Sequence, residues 1–410
     1  MFPLSNLLKA FIRTGKLTVI DPGGREHVFE GTPGLNVTMK LTDKSLYRKL
    51  FFNPELHAGE AYMDGRMLFP GSSLRDFLTL FSINRISLAA HPLQKVLRRV
   101  SRGLKGFQQA NPVGKAQKNV AHHYDLGNEF YSLFLDESMQ YSCAYFTSDS
   151  DTLEQAQINK LNLIAAKLQL KPGQKILDIG CGWGAMAIHL AKIADVHVTG
   201  VTLSKEQHAL AVERAAKAGL LDRVEFQLLD YRKVEGKFDR IVSVGMFEHV
   251  GVGHYLEFFA KVNALLDDDG LMLLHSIGHM SPPGTASPWL RKYIFPGAYS
   301  PAMSEVFTAT EQSSLWATDV EILRVHYAKT LAHWHDRFET NRAKIAEMYD
   351  ERFCRMFEFY LISAEMMFRT GSQMVFHMQL ARKRDAMPIV RDYITDLQRA
   401  YRASPAKTAE

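Results

Sequence analysis

The chain has 410 residues, 46% of them hydrophobic, enough for a substantial core and for two domains or one large domain with extensions. Its longest apolar stretches, such as LMLLHSI at Leu271 to Ile277, fall short of the roughly 18 to 20 residues that cross a bilayer, so no membrane-spanning helix is predicted. The formal charge is only +5, yet residues 1 to 120 carry 18 basic against 8 acidic side chains, which sets a basic leading region against a slightly acidic remainder.

The N-terminal apolar run has no small-residue cleavage signature behind it, and export is not indicated. Cys143, Cys181 and Cys354 contain no CxxC pair and fit a reducing cytoplasm. Residues 1 to about 85 alternate short apolar segments with turns at Pro22-Gly23-Gly24, Thr32-Pro33-Gly34 and Pro70-Gly71, the pattern of a separate small domain. A basic connector follows, in which Lys95, Arg98, Arg99, Arg102, Lys105, Lys115 and Lys118 are interrupted by no acid. Such a field suits a solvated face, an anionic membrane or a nucleic acid. No zinc finger, GxxG clamp or aromatic-rich RNA-binding strand accompanies it. The domain boundary is placed after residue 118, with a second part over 119–410.

In the second part a helix is predicted from Leu153 to Leu170, ended by Lys171-Pro172-Gly173. A strand is predicted to open the segment Lys175 to Gly184, with further strands at His197–Val201, Val224–Leu228, Arg240–Val244 and Leu271–Ser276 and helices at Lys205–Ala218 and His254–Leu266 between them. This alternation predicts an α/β fold around a parallel-rich sheet. Gly278–Pro301 reads as a loop or cover, and Asn341–Arg384 as strongly helical. On that last stretch Met356, Phe357, Phe359, Tyr360, Met366, Met367 and Phe368 suit either an acyl tunnel or ordinary helical packing.

The segment KILDIGCGWG, Lys175 to Gly184, runs from an apolar strand into a close glycine turn with an acid just before it, which marks a nucleotide-type site at a strand's carboxyl end. Its spacing is GxGxG rather than GxGxxG, which weakens a dinucleotide reading, and no GxxxxGK[ST] sequence is present to hold a triphosphate. Gly180 and Gly182 allow close backbone approach, with Gly184 opening the next helix. Asp178 is either a ligand-site acid or a turn acid. Thr202, Leu203, Ser204 and Gln207 follow the next strand, where ribose hydroxyls would be met. Asp230, with Tyr231 beside it, is an adenine-edge acceptor or a helix cap. His122 and His123 are adjacent, without an acidic or cysteine cluster, and no metal site is predicted from them.

Taken together, HHYDLGNEFY at His122 to Tyr131, MQYSCAYF at Met139 to Phe146, LDIGCGWG at Leu177 to Gly184, VTLSKEQ at Val201 to Gln207 and FDRIVSVGMFEHVG at Phe238 to Gly251 resemble the cyclopropane-fatty-acyl-phospholipid synthase family of class I S-adenosylmethionine-dependent methyltransferases. LLHSIG at Leu273 to Gly278, RKYIFPG at Arg291 to Gly297 and HYAKTLAHW at His326 to Trp334 extend the resemblance over roughly residues 119 to 385. It implies a Rossmann-like core, a small N-terminal lipid-recruitment domain and a helical C-terminal extension. It further implies transfer of a methylene unit to a cis double bond of a phospholipid acyl chain, or a related reaction giving a methyl-branched or methylidene chain.

By the same resemblance, bicarbonate is the proton acceptor and is placed near the Cys143 backbone, Glu248, His275, the Ile277 backbone and Tyr327. Each has a plain structural reading too: Glu248 as a helix-terminal acid, His275 in local hydrogen bonding, Tyr327 in packing and Cys143 as a buried apolar cysteine. Tyr124, Tyr141, Ser142 and Trp183 are candidates to enclose the cofactor, against packing or capping. Implied partners are unsaturated membrane phospholipids with anionic attraction, at the cytoplasmic side of the inner membrane, and a second copy of the chain. A nucleic acid is not expected.

Overall fold

The computed structural model describes residues 1–90 and 126–403. The basic run Lys95–Lys118, the pair His122 and His123, and Tyr124 lie outside the described residues. Two compact units form. One gathers the described residues up to 90 with Gly284–Pro296 and Leu331–Ser372; the other holds the described residues from 126 to Pro283, with Gly297–Thr330 and those from Gln373 onward. The first unit thus draws in two segments that lie beyond residue 118, so a single cut in the sequence does not reproduce the division.

The first unit contains β1 (Thr14–Ile20), β2 (Glu26–Glu30), β3 (Thr32–Leu41) and β4 (Met67–Leu68) in the order β2-β1-β3-β4. β1 and β3 run parallel, with Leu17 opposite Val37, and the other pairs are antiparallel. Leu17, Val19, Val37 and Met39 are buried on one face, the period-2 signature of a half-covered sheet. The Asn84 side chain, on the helix Leu74–Ala90, accepts from the backbone N–H of Arg13 (2.7 Å) and Thr14 (3.0 Å) and donates to the Thr14 carbonyl (2.9 Å). It thereby satisfies backbone groups where the chain enters β1. In the same unit the helix Glu351–Arg369 starts at Asp350, whose side chain accepts from the Phe353 N–H, and buries Phe357, Phe359, Tyr360, Met366 and Phe368. Met356 and Met367 are half-buried.

The second unit is built on β5 (Lys175–Ile179), β6 (His197–Thr202), β7 (Val224–Leu228), β8 (Phe238–Val244), β9 (Leu266–His279), β10 (Trp316–Ile322) and β11 (Gln373–Ala381). Their order is β10-β11-β9-β8-β5-β6-β7. The pairs from β7 to β9 are parallel, and β11 lies antiparallel between β9 and β10. Side-chain alternation divides the core between the two faces. Leu177, Ile241 and Met272 join Phe258 and Phe259 on one face, while Ile176, Val242 and Leu273 join Leu161, Leu190 and Ala211 on the other. The helix Leu153–Leu168 begins at Thr152, whose hydroxyl accepts from the Gln155 N–H at 3.2 Å, and ends at Gln169 with φ 47°.

The α/β fold with a parallel-rich sheet is as the sequence pattern predicts, but the tract Asn341–Arg384 is not helical throughout. It holds the helices Arg342–Met348 and Glu351–Arg369 and then β11. The run QMVFHMQLA is buried at all but its first position, so it lacks the alternation that marks a one-sided strand. β10 was likewise not foreseen; it is an edge strand whose residues are exposed or half-buried. The interval read as a loop or cover contains the short helix Pro288–Tyr293.

Candidate active site

β5 has β6 on one side and β8 on the other, while the chain passes from β5 to β6 and reaches β8 only after β7. The strand order therefore reverses beside β5, and a crevice opens at the carboxyl ends of the strands there. A cleft with a cavity volume of about 180 Å³ lies at that place. From β5 and its turn come Asp178, Gly180, Gly182 and Trp183, from β6 Thr202 and Leu203, and from beyond β7 Asp230 and Tyr231.

Local chemistry explains the turn. Gly180 has φ 81°, and a Cβ there would come within 2.8 Å of the Met246 Cβ. Gly182 has φ 53°, lines the cleft, and a Cβ on it would meet no described residue within 4 Å. Gly184 does not line the cleft. It caps the helix Ala185–Ile193 with φ 84°, and a Cβ on it would meet the Phe226 ring at 2.7 Å.

Asp178 is fully buried, and its Oδ2 has no hydrogen-bond partner among the described residues. Burial raises its carboxyl to about 7, against the opposing pull of Lys160. Lys160 is also buried and donates to Ser142 Oγ at 2.8 Å; burial lowers its ammonium to about 8, with Asp136 the foremost group opposing that. Tyr141 and Ser142 line the cleft beside them, and Tyr141 packs edge-on to Tyr131, which also contacts Trp183. The Trp183 indole donates to Asn128 Oδ1 at 2.8 Å.

Across the cleft, Thr202 Oγ1 donates to Gln207 Oε1 at 2.9 Å, and both residues line the wall. Ser204 stands apart: it caps the helix Lys205–Lys217, accepting from the Gln207 N–H at 3.2 Å, and does not reach the cleft. Asp230 combines two functions. It caps the turn by accepting from the Arg232 N–H at 3.0 Å and holds the Arg232 guanidinium at 2.9 and 2.6 Å. Burial pushes its carboxyl up, but Arg232 outweighs this and keeps it below the usual range.

The second group of residues centres on the segment after β8. Met246 and His249 line the cleft, and Glu248 between them is buried. Glu248 Oε1 accepts the Ile277 N–H at 2.6 Å, while Oε2 is buried without a hydrogen-bond partner among the described residues. The neighbouring Ser276 hydroxyl donates to the Ile277 carbonyl at 3.1 Å and also favours the ionised Glu248. Burial raises the Glu248 carboxyl to about 7, opposed first by the Ile277 N–H. His275 precedes Ile277 by two positions on β9, and its Nδ1 lies 2.8 Å from His377 Nε2. Burial holds both rings well below their ordinary pKa, so both are neutral.

Cys143 is buried, its thiol donating to the Ala144 carbonyl at 3.3 Å, and burial pushes its pKa up, away from thiolate chemistry. The following Ala144 N–H donates to Thr330 Oγ1 at 3.0 Å, which ties this segment to the first turn of the helix that begins at His326 and carries the buried Tyr327. Glu248 and Ile277 are directly bonded, and His275 is on the same strand. Cys143 and Tyr327 are linked through Ala144 and Thr330.

Sequence reasoning missed Lys160, Gly245, Met246 and His249 in the cleft wall, and Lys167 and His377 behind it. The two lysines are seven positions apart on one helix, sharing a face with Ile164 and Leu168, and both are buried. Charged residues in register with an apolar stripe were the available signal.

The sequence profile of the mycolic acid cyclopropane synthetase family matches residues 113–378. The chain belongs to this family. It is therefore a class I S-adenosylmethionine-dependent methyltransferase of the cyclopropane synthase group. It is similar to the cyclopropane-fatty-acyl-phospholipid synthase of Escherichia coli strain K12, 40% identical over 81% of this chain and 84% of that one. It is also similar to the tuberculostearic acid methyltransferase UfaA1 of Mycobacterium tuberculosis, 36% identical over 79% of this chain and 78% of that one. The solved structure of the cyclopropane synthase MmaA2 from Mycobacterium tuberculosis is 33% identical, covers 66% of this chain and 99% of its own, and superimposes with a TM-score of 0.62. A member of this family has an S-adenosylmethionine-binding fold, and the buried Asp178 oxygen, without a partner among the described residues and beside the glycine turn, fits a ligand with polar and cationic groups.

Proposed function

We propose that this chain is a cyclopropane-fatty-acyl-phospholipid synthase, adding a methylene unit across a cis double bond of a membrane phospholipid acyl chain. The observation that carries the reading is Glu248: a buried carboxyl group with one oxygen held by the Ile277 N–H and the other without a partner among the described residues, in the chain between two residues that line the cleft. A buried polar atom without a partner is costly, and a functional site is where that cost is retained.

S-adenosylmethionine would supply an electrophilic methyl group and bicarbonate a proton acceptor, so that methyl transfer to the alkene is followed by proton loss and ring closure. Asp178, Tyr141, Ser142, Trp183, Thr202, Leu203, Gln207, Asp230 and Tyr231 would hold the first, with Gly180 and Gly182 giving backbone access. Tyr124 would complete that set, and Gly184 and Ser204 would support it by capping the two helices that flank it. Glu248, His275, Tyr327 and the backbones of Cys143 and Ile277 would hold the second. The protein's own work is to orient a small oxyanion, to keep the alkene aligned and to exclude water that would capture the cation.

The name of the E. coli relative supports phospholipid as substrate. The name of UfaA1 supports a second reading, in which the same cation is resolved to a methyl-branched or methylidene chain. Incubation with S-adenosylmethionine and a defined cis-monounsaturated phospholipid tests the proposal. S-adenosylhomocysteine and a lipid one methylene heavier, with ring protons and no vinyl protons in its NMR spectrum, support it; a product of that mass that retains an alkene supports the second reading, and unchanged lipid with S-adenosylmethionine bound contradicts the proposal.

The chain would work as a peripheral protein at the cytoplasmic face of the inner membrane, recruited through residues 1–118, with the Lys95–Lys118 charge attracting anionic lipid, and would pair as a homodimer. No described helix is long and apolar enough to cross a membrane. Liposome binding that rises with anionic lipid and weakens with salt supports this recruitment, and binding indifferent to both contradicts it.

A further inference from the structure

Behind His275 lies a row of buried groups whose hydrogen-bond roles are fixed by chemistry. His275 and His377 are directly opposed in the β9–β11 register, and His275 Nδ1 is 2.8 Å from His377 Nε2. On the far side of the second ring, His377 Nδ1 is 3.3 Å from Lys167 Nζ. The lysine is fully buried, and burial lowers its pKa; Glu321 at 2.5 Å and Asp319 at 3.6 Å oppose that shift and favour the charged ammonium. Asp319 is itself paired with Arg391 at 2.7 Å. The Lys167 backbone is fixed as well, because Gln379 Nε2 donates to its carbonyl at 2.5 Å.

An ammonium group donates hydrogen bonds and accepts none. His377 Nδ1 must therefore accept from Lys167, which puts the proton of this neutral ring on Nε2. That proton points to His275 Nδ1, which must accept in turn, so the His275 proton is also on Nε2. A doubly protonated ring at either position would bring a further positive charge into a buried space that already holds Lys167.

We propose that Lys167 and His377 are positioning residues that lock His275 as its Nε2–H tautomer, so that the ring offers a donor, and not an acceptor, on the side away from His377. This deepens the reading of His275 as part of an oxyanion pocket and rests on that reading: a donor is what a small oxyanion requires, and the wrong tautomer would place a lone pair against it. The row is carried by β9, β11 and the helix Leu153–Leu168, rigid elements rather than loops, which suits a device that sets geometry.

The test uses the full chain labelled with 15N-histidine, with the tautomers read from long-range 1H–15N correlations of the ring nitrogens. In the wild type both His275 and His377 carry the proton on Nε2. His377→Gln keeps the His275 tautomer, because the amide accepts from Lys167 and donates onward, while His377→Leu releases it to a mixture. For His377→Leu, kcat falls about tenfold or more, with affinity for S-adenosylmethionine changed less than about twofold. A His275 proton on Nδ1 in the wild type overturns the proposal. So does an unchanged His275 tautomer in His377→Leu with unchanged kcat. Tautomers as stated, but with no ring-forming turnover in any form, support the row of hydrogen bonds and overturn the proposed function instead.

Discussion

Glu248 Oε1 accepts the Ile277 backbone N–H at 2.6 Å, and its second oxygen is buried with no hydrogen-bond partner among the described residues. One oxygen is thus fixed by the sheet, which aims the other. Glu248→Gln keeps the size and the contact to Ile277 but removes the charge and replaces an acceptor oxygen with a donor group. Turnover is expected to fall by about 2 to 4 kcal/mol in transition-state stabilisation, with the affinity for S-adenosylmethionine nearly unchanged and the response to added bicarbonate lost. Calorimetry for binding and a phospholipid assay for turnover separate these. Equal losses in both would make Glu248 a structural residue or part of the cofactor shell.

The same burial makes stability depend on pH. Glu248 has an ordinary value of 4.5 when unfolded and about 7 when folded. Below 4.5 it is neutral in both states. As pH rises toward 7 the unfolded chain ionises first, so the stability that the neutral folded group retains at low pH is lost, by about 3 kcal/mol at most once pH exceeds the folded value. Glu248→Gln abolishes this contribution. Urea unfolding should therefore show the variant gaining on the wild type between pH 5 and pH 8; a difference that stays constant with pH would contradict the burial argument.

Asp178 also titrates near 7 when folded, because burial outweighs the attraction of Lys160. A cationic ligand group would favour the carboxylate, so wild-type affinity for S-adenosylmethionine should tighten as pH rises through 7. Asp178→Asn should weaken binding about tenfold to a hundredfold at pH 8, the size of a hydrogen bond to a charged group, and flatten the pH profile. Calorimetry at pH 6 and pH 8 decides it, and equal affinities for the two proteins would rule Asp178 out of the cofactor site.

Two glycines of the turn should respond differently to alanine. Both have positive φ, but a Cβ at Gly184 would lie 2.7 Å from the Phe226 Cζ and 3.1 Å from the Ala211 Cβ, whereas at Gly182 it would meet no described residue within 4 Å. Gly182→Ala should cost about 1 to 2 kcal/mol from backbone strain alone, and Gly184→Ala about 1 to 3 kcal/mol more from overpacking. Denaturant unfolding of the two variants reads the order directly; the reverse order would contradict the assignment of Gly184 to packing.

The parallel half of the sheet was legible because Ile176–Leu177, Ile241–Val244 and Leu271–Leu274 are short, largely apolar runs bounded by charged residues, glycine or histidine, and KILDIGCGWG announces both a strand and its ligand end. β11 was hidden because only Thr370, Gly371 and Ser372 separate it from a long helix, and burial of its interior on both faces removed the period of two. The site was legible where a motif is local, as at Asp178, Thr202 and Gln207. It was illegible where partners meet only in the fold: Lys167 reaches Glu321 and His377 across 154 and 210 positions, and nothing near Lys167 in the sequence names them.

The central claim is that the reaction closes a ring, and the fate of the transferred methyl tests it most directly. With S-adenosylmethionine carrying a trideuterated methyl group and a cis-monounsaturated phospholipid, ring closure must expel one deuteron and consume the alkene. The account predicts a product that has lost one deuteron, shows ring protons in its NMR spectrum and has no vinyl protons. A product that retains the whole trideuteromethyl group, or that keeps an alkene, would contradict it.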